Sequence, residues 1–425
     1  MHARILVMLA LRNLRRHLRR TVLTAAAMIA GAVVMVFSFT LDDGSHEQWV
    51  DSGVRLGSGH VTIERPDYRV SRRIEDRLSD EVRRAAEQAL QSPELAPRVA
   101  ALSAKLGITG LASSAAGSRP VQIVAVDPVA EADFGTIDDQ VVEGRYLETD
   151  DELAACVGAG LVDSLDLELG SRFVVQAQDA EREISGQLLR VVGIFRSAVP
   201  AVNQTVIHVP LATAGEWLGA AGGVTNIGVV LAESGDTERV VERLEQALAE
   251  PVTRGDVHVM GWPESEPSLA TAIAVDSLGN YIIQSFLFVI IAFGIVNTVL
   301  MSVMHRHREF GVLRALGLTP GQTGAIVLAE GFALAAASGL VGVGLGLLIM
   351  WYFLGDGLDM TAFMEGAENL TFGGVAVDPV IVPIFGAWRM VQITAFIVGV
   401  GCAAAVYPAL RAMRIDVTEA MKFDR

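Results

Sequence analysis

The sequence predicts a membrane α-helical protein with four transmembrane helices, both termini on the cytoplasmic side, and a large α+β extracytoplasmic domain. Three observations support this fold class: four long apolar stretches, more than 200 residues of mixed composition between the first two, and an uneven distribution of charge. Hydrophobic residues make up 51% of the 425-residue chain and the mean hydropathy is +0.42, both high for a soluble protein. The composition therefore favours a membrane protein.

Four stretches are long enough to cross a bilayer, which requires about 20 apolar residues in a helix. They are residues 21–41, 277–304, 323–354 and 390–410. The first follows a run of arginines, as the core of a secretory signal would. Its apolar run is too long for such a signal, and no small-residue cleavage site precedes LDDGSHEQW. This pattern favours an uncleaved anchor.

The charge distribution predicts the orientation, because cytoplasmic loops carry the excess of lysine and arginine. Residues 1–20, 305–322 and 408–425 together hold 13 basic and four acidic groups. Residues 42–272 hold 19 basic and 38 acidic groups, and residues 355–388 hold five acidic groups and no lysine or arginine. The first set is therefore predicted to be cytoplasmic and the second extracytoplasmic. The net charge of −16 also argues against a nucleic-acid partner.

The two ends of the chain are predicted to lie at the cytoplasmic surface. Residues 1–20 place apolar side chains at helical spacing with arginines around the other side, which predicts an amphipathic helix in the membrane interface. The alternative is that these arginines only set the topology. Residues 411–425 form the predicted cytoplasmic tail.

The large domain, residues 42–272, shows a repeated order of elements at its two ends. Residues 55–109 contain a strand in GHVTIER, a helix in SDEVRRAAEQAL and a strand in RVAALSAKL. Residues 221–265 repeat the order with VTNIGVVLA, DTERVVERLEQALA and DVHVMGW. Residues 110–220 are rich in Val, Ile, Gly and Pro at strand-like spacing. The prediction is a split, porter-like α/β unit with a β-rich insertion, followed later by a short extracytoplasmic loop at residues 355–389.

Catalytic and metal-binding motifs are absent from the sequence. The only lysines, Lys105 and Lys422, follow no phosphate-binding loop of the form G-x-x-x-x-G-K-[ST], so ATP and Mg²⁺ are expected in a separate subunit. No G-x-S-x-G nucleophile motif is present, and the histidines show no metal-ligand spacing. We therefore predict no catalytic residue, no metal and no cofactor bound by this chain.

The third apolar stretch contains two further features. Gly342 and Gly346 lie four residues apart in GLVGVGLGLL, a spacing that predicts close helix packing. Glu330 is a charge inside a predicted span, which is costly unless it is paired or lies near an interface. Pairing with an arginine of the 305–322 loop or with a neighbouring helix is expected, and a proton or ion path is the alternative.

The 305–322 loop, HRHREFGVLRALGLTPGQ, distributes apolar and charged residues around a short helix that TPGQ ends. This loop with its flanks, AFGIVNTVLMSVMHRHREFGVLRALGLTPGQTGAIVLAEG, and the terminal VYPALRAMRIDVTEAMKFDR resemble permease subunits of ABC transporters. That superfamily includes the lipoprotein-releasing LolC/LolE pair, MacB and FtsX. In the middle, VVEGRYL, ACVGAGLVDSLDLELGSRFVV and VVGIFRS resemble its extracytoplasmic domain, close to the LolC/LolE type.

The resemblance implies a coupling helix in the loop that docks on a cytoplasmic ATPase dimer, and a second permease, identical or related. The side chains expected to dock are Arg306, Arg308, Glu309, Phe310, Leu313, Arg314 and Leu316. A substrate cavity is expected between the first and second spans of both subunits, with acyl-facing candidates that could instead face lipid: Met28, Met35, Phe39, Ile283, Phe286 and Ile290.

The resemblance further implies a subunit of the bacterial inner membrane with its large domain in the periplasm. The function expected from it is ATP-driven extraction or release of a lipoprotein or similar amphiphile, with a periplasmic carrier or adaptor as a possible partner. Two alternatives remain at this point: a signal transducer that activates a periplasmic hydrolase or sensor, and an exporter of small hydrophobic drugs or peptides.

Overall fold

The computed structural model describes residues 18–363, 371–372, 375–376 and 378–415. These residues divide into two compact units. The membrane unit contains the described residues up to Ser45 together with Val275–Asp359 and those from Val380 onward, and the outer domain contains His46–Ala274 with described residues of Met360–Pro379. Residues 1–17 of the predicted interfacial helix and residues 416–425 of the predicted tail lie outside the described residues.

The described part of the chain contains both α-helices and strands. The helices are α1 Leu18–Arg55, α2 Tyr68–Ser71, α3 Asp80–Leu90, α4 Pro128–Phe134, α5 Ala159–Leu165, α6 Pro200–Thr205, α7 Leu211–Trp217, α8 Thr237–Ala247, α9 Ala249–Arg254, α10 Trp262–Ser265, α11 Pro267–His305, α12 His307–Ala315, α13 Pro320–Leu354 and α14 Ala387–Met413. The strands are β1 Val61–Glu64, β2 Val99–Ser114, β3 Gly117–Val126, β4 Val141–Gly144, β5 Ala154–Gly158, β6 Arg172–Gln178, β7 Ile184–Phe195, β8 Val206–Pro210, β9 Asn226–Leu231, β10 His258–Gly261, β11 Leu358–Asp359, β12 Thr371–Phe372, β13 Val375–Ala376 and β14 Val380–Ile381.

Four helices, α1, α11, α13 and α14, are long and apolar enough to cross a membrane. Each is longer than the apolar stretch that predicts it. Helix α1 continues past the charge-free run to Arg55, and α11 begins at Pro267, ten residues before the predicted span. The reason is that apolar length sets how much helix fits in lipid, whereas a helix continues through polar residues until a cap or a breaker ends it.

Small residues bring the membrane helices together. A Cβ atom placed on Gly342 of α13 would lie 2.5 Å from the Cβ of Ala32 in α1, and one on Gly346 would lie 2.9 Å from the Cβ of Val36. A Cβ on Gly401 of α14 would lie 2.3 Å from the Cβ of Ala335. Larger side chains would separate these helices. The predicted packing role of the two α13 glycines is therefore confirmed.

The outer domain is built on one ten-stranded mixed sheet. The strand order is β10-β1-β9-β2-β3-β8-β5-β7-β4, and β6 pairs with both β2 and β7. The β3–β8 and β5–β7 pairs are parallel, and the other pairs in this sheet are antiparallel. The sheet settles the question of strand direction that the sequence leaves open.

The predicted boundary between the porter-like part and the β-rich insertion falls inside strand β2. The first half of β2 pairs with β9, and its second half pairs with β3 and β6. One 16-residue strand therefore belongs to both parts, and the insertion also contains helices α4 to α7. The sheet is therefore continuous across the predicted boundary at residue 109/110. The sequence could not show this, because the alternation of inward and outward side chains along a strand does not reveal where its pairing partner changes.

Two main hydrophobic cores correspond to these two parts. Helices α3 and α8 place Val82, Ala86, Val240 and Leu244 against the porter-like strands. Burying apolar stripes of two amphipathic helices against one sheet face is the layer architecture that their periodicity predicts. The second core lies in the β-rich part and includes Leu106, Ile123, Leu161, Phe173 and Ile207.

Candidate functional site

The candidate site is the segment between the second and third membrane helices. Helix α12 begins two residues after α11 ends, and helix α13 follows after a short turn. The Thr319 hydroxyl accepts a hydrogen bond from the Gln322 backbone N–H at 3.3 Å, and the Gln322 side chain accepts one from the Thr319 N–H at 3.0 Å. This capping box, with Pro320 at the first helical position, fixes where α13 starts.

Arg306, between α11 and α12, anchors the segment to the third membrane helix. Its Nη1 donates to Glu330 Oε2 of α13 at 2.9 Å, and its Nε donates to Glu309 Oε2 at 3.1 Å. The Arg306 and Glu330 side chains are only 7% and 13% exposed. Their pairing satisfies the charge inside the third span, as expected from the sequence. Separating the two side chains would leave an uncompensated buried charge, which is costly. The contact therefore holds the start of α12 in place against α13.

Phe310 forms the apolar side of the same anchor. Its ring centroid lies 4.8 Å from the Arg306 guanidinium carbon, and its side chain is fully buried in a cluster that includes Val303, Ile326 and Val327. Phe310 and Arg306, both among the predicted docking side chains, are therefore buried inside this chain and lie away from its exposed face. Both are used within this chain: burial of the Phe310 ring is favourable, and the guanidinium that it contacts has two carboxylate partners.

Arg314 connects the segment to the fourth membrane helix. Its Nη1 donates to the Met413 carbonyl oxygen at 3.3 Å and also to the Ile415 carbonyl oxygen. Carbonyl groups at a helix C-terminus lack partners within the helix and carry partial negative charge, so a guanidinium is favourable there. Arg314 therefore positions α12 against the end of α14.

The exposed face of the segment is formed by Arg308, Val312 and Leu316, which lie four residues apart. Val312 is exposed and Leu316 is 77% exposed. The Glu309 side chain is about half exposed beside its ion pair, and Leu313 packs partly against the buried cluster. We call Arg308, Val312 and Leu316 the docking face. Val312 is absent from the predicted docking residues, although the i, i+4 spacing from Arg308 signals it.

The residues predicted to form a substrate cavity separate into three groups. Met28 is buried among the membrane helices of this chain. Met35 and Phe39 line a cavity inside the membrane unit. Ile283, Phe286 and Ile290 lie on the exposed face of α11. Helix α11 instead presents Gln284 and Phe288 to the cavity. The sequence does not reveal which face of α11 points inward, because apolar residues occur on every side of this helix.

The outer domain contains a buried polar cluster that no sequence motif indicates. The Lys105 ammonium donates to Glu131 Oε1 at 2.8 Å, and the Ser103 hydroxyl donates to Glu131 Oε2 at 2.6 Å. Both members of the ion pair are 4% exposed. Burial lowers the pKa of Lys105, and the neighbouring Glu131 opposes this shift. Each charge has its partner here, so the cluster holds strand β2 to helix α4.

The hairpin β6–β7 has a polar tip. Asp179 Oδ1 accepts the backbone N–H groups of Glu181 and Glu183, each at 2.9 Å, and Arg182 adopts a φ of +70°. The Arg182 Nε lies 2.7 Å from Glu75 Oε1. The tip is thus a folded turn that presents acidic groups and a basic group.

Comparison with solved structures gives weak overall similarity in the outer region. The periplasmic region of MacB from Actinobacillus actinomycetemcomitans aligns at a TM-score of 0.35 and 12% identity, covering 49% of this chain and 92% of that one. The extracellular domain of the noncanonic ABC-type transporter YknZ from Gram-positive bacteria aligns at a TM-score of 0.34 and 13% identity, covering 47% and 99%.

Sequence relatives include ABC transporter permeases and LolC. An uncharacterized permease of Methanocaldococcus jannaschii is 27% identical over 210 residues, 49% of this chain, and the match spans only 51% of that relative. The lipoprotein-releasing system transmembrane protein LolC of Neisseria meningitidis serogroup B is 23% identical over 322 residues, 74% of this chain and 76% of LolC.

Two family models together account for most of the chain. The MacB-like periplasmic core domain matches residues 21–247, and the FtsX-like permease C-terminal domain matches residues 281–417. The first match alone spans more than half of the sequence, and the second contains the docking face and its anchors. This protein is a multi-pass membrane protein with a large outside domain, and it belongs to the MacB/FtsX-like superfamily of ABC transporter permeases.

Proposed function

We propose that this chain is the permease subunit of an ATP-driven complex that extracts a lipoprotein or similar amphiphile from the bacterial inner membrane. In this proposal both termini and α12 are cytoplasmic, and the outer domain is periplasmic. A cytoplasmic ATPase dimer binds ATP and Mg²⁺, and a second permease, identical or related, completes the membrane part. A periplasmic carrier or adaptor receives the substrate.

One observation carries the proposal: α12 is tied to two membrane helices while one face of it stays exposed. Arg306 ties it to α13 through Glu330, and Arg314 ties it to the end of α14. A partner bound at the docking face would therefore move α13 and α14 together with α12. Close-packed helices joined by buried polar contacts deform little, so they move as one body. Such an arrangement suits mechanical coupling to an ATPase.

The relationship to LolC supports the substrate class. The LolC relative is described as part of a lipoprotein-releasing system, and its match covers about three quarters of both chains. The substrate assigned to this chain is accordingly a lipid-modified protein or another molecule with acyl chains and a polar body. Signal transduction to a hydrolase and export of small hydrophobic molecules are the competing functions, and mass spectrometry of the purified complex distinguishes them.

The docking face is tested by Val312→Asp in the full chain expressed with its ATPase. We expect at least about tenfold weaker association with the ATPase and loss of substrate-stimulated ATP hydrolysis, because a charge replaces an apolar contact at the centre of the face. Co-purification and ATP turnover measure this. The matched control is Val70→Asp, since Val70 is exposed on the outer domain. Equal ATP turnover in both variants would contradict the docking assignment.

The substrate is tested by mass spectrometry of the complex purified gently through a tag on this chain. An ATPase together with an acylated lipoprotein is the expected result. An ATPase with a periplasmic hydrolase, or with an adaptor and no acylated cargo, would replace lipoprotein extraction by transduction or small-molecule export.

A further inference from the structure

A cavity of about 290 Å³ lies inside the membrane unit, between helices α1, α11 and α14. Its walls are mainly apolar and include Met35, Phe39, Phe288 and Ile393. The exposed side chains of Tyr281, Gln392 and Phe396 also line it, so the cavity communicates with the outside of the helix bundle. Its volume is at about the lower end of small-ligand pockets, ~300–1,000 Å³. The cavity can therefore hold part of one acyl chain, but it is too small for a whole diacyl lipid.

Gln284 gives the cavity a polar side chain that lacks a hydrogen-bond partner within the described part of the chain. Its side chain is 2% exposed, and neither its amide nitrogen nor its amide oxygen has a hydrogen-bond partner among the residues that the structure describes. Leaving a buried polar group unpaired is energetically costly, and such groups in native proteins usually have a specific reason. An amide donor in an apolar cavity suits a ligand that carries a carbonyl oxygen.

The charge at the cavity is already balanced. The Arg389 Nε donates to Asp43 Oδ2 at 2.8 Å, and its guanidinium carbon lies 5.4 Å from the Phe39 ring centroid. Since the arginine has its carboxylate, the described lining of the cavity offers no unbalanced cation to a phosphate or carboxylate. The ligand group inside the cavity is therefore neutral.

We infer that the cavity within a single chain binds one acyl chain, whose ester or amide carbonyl accepts a hydrogen bond from the Gln284 side-chain NH₂. The inference deepens the proposed function and rests on it for the substrate class. It places a lipid-binding site between α1, α11 and α14 of one subunit, separate from the cavity between subunits that the sequence predicts. An acyl chain with a carbonyl group can come from two sources, a bilayer phospholipid and a lipid-modified protein.

Photolabelling tests the site in the full chain reconstituted in vesicles of phosphatidylethanolamine and phosphatidylglycerol. One arm contains a phospholipid with a photoreactive acyl chain, and the other a triacylated lipopeptide with the same group. We expect Met35 and Ile393, which line the cavity and are otherwise buried, to be labelled more strongly than the exposed face of α11 at Ile283 and Ile290. Labelling in the first arm identifies phospholipid as a ligand, and labelling in the second arm alone identifies the lipoprotein acyl group.

Gln284→Leu separates ligand binding from structural support. It removes the donor while keeping the size of the side chain, so we expect about fivefold less labelling of the cavity, together with unchanged or higher thermal stability of the lipid-free protein in detergent. Gln88→Leu, at an exposed position of helix α3, is the matched control and should change neither quantity. Unchanged labelling in Gln284→Leu, or labelling no stronger than on the exposed face of α11, would overturn the inference.

Labelling needs no ATPase, which separates this inference from the proposed function. Cavity labelling that depends on Gln284, in a complex that releases no lipoprotein, would support the site and reject lipoprotein extraction. Lipoprotein release without cavity labelling would support the proposed function and reject the site.

Discussion

Each of the two units contains a buried ion pair of similar length, and the two pairs differ in chemistry and position. In the membrane unit Arg306 pairs with Glu330 at 2.9 Å, and in the outer domain Lys105 pairs with Glu131 at 2.8 Å. The arginine has a second carboxylate, Glu309, which is about half exposed. The lysine is enclosed, with its ammonium 4.1 Å from the Phe134 ring centroid.

The difference shows what each pair is suited to do. Arginine keeps its charge at any accessible pH and holds two carboxylates with its fork of donors, so it fixes the geometry of α12 where force would be transmitted. Lysine can lose its proton when burial makes its charge costly, so its charge is less constant than that of arginine. The role of the Lys105 pair is therefore to pack β2 against α4. The first pair is therefore expected to matter for coupling and the second for stability.

The largest expected effect comes from removing one carboxylate of each pair. Glu131→Ala leaves Lys105 enclosed without a carboxylate partner, and we expect the outer domain to lose about 3–5 kcal/mol of stability, reduced to the extent that Lys105 deprotonates. Glu330→Ala leaves Arg306 with Glu309, so the membrane unit should lose less. Hydrogen exchange of the full chain, followed in β2 and in α12, measures both. Equal loss of protection would remove the distinction between the two pairs.

A pH dependence of stability is expected in the outer domain, from a histidine near its buried ion pair. Burial lowers the pKa of His208 to about 4, with Glu131 opposing and Lys105 reinforcing the shift, and the neutral ring nitrogen Nδ1 lies 2.7 Å from the Tyr146 hydroxyl. Between pH ~6.5 and ~4 the unfolded chain binds a proton that the folded domain excludes. The stability from this group is therefore present above pH ~6.5 and is lost as the pH falls, by up to about 3 kcal/mol.

Unfolding of the outer domain at pH 7 and pH 5, followed by hydrogen exchange in β8, measures this dependence. His208→Gln should flatten part of it, because glutamine does not titrate in this range. A variant with the full pH dependence of the original chain would show that other groups, such as His60, account for it.

The smallest expected effect on stability comes from replacing each pair by apolar residues of similar size. Lys105→Met with Glu131→Leu should change the stability of the outer domain little or raise it, since buried ion pairs often contribute no net stability. Arg306→Met with Glu330→Leu should also leave the helices folded, yet lower the ATPase coupling of the complex. ATP turnover together with thermal unfolding separates the two quantities. Normal coupling in the second variant would show that packing alone positions α12.

The candidate site was predictable in its location and only partly in its residues. Amphipathic composition between two apolar stretches located the segment, and the charge inside the third span indicated a paired Glu330. The exposed and buried sides of α12 were not predictable, because Arg306 and Phe310 are residue types common both at interfaces and in helix junctions. Arg306 and Phe310 are buried because of their neighbours in three dimensions, which are Glu330 and the apolar cluster around Ile326.

By itself the sequence determined the four apolar helices, the close packing at Gly342 and Gly346, the two amphipathic helices of the outer domain, and the absence of a phosphate-binding loop. These follow from local composition and period, which a single segment contains. Only the tertiary structure decided the single sheet shared through β2, the rotation of α11 that turns Gln284 inward, and the Lys105–Glu131 pair. Each of these depends on side chains far apart in sequence that compete for the same buried space, and no local pattern records the outcome.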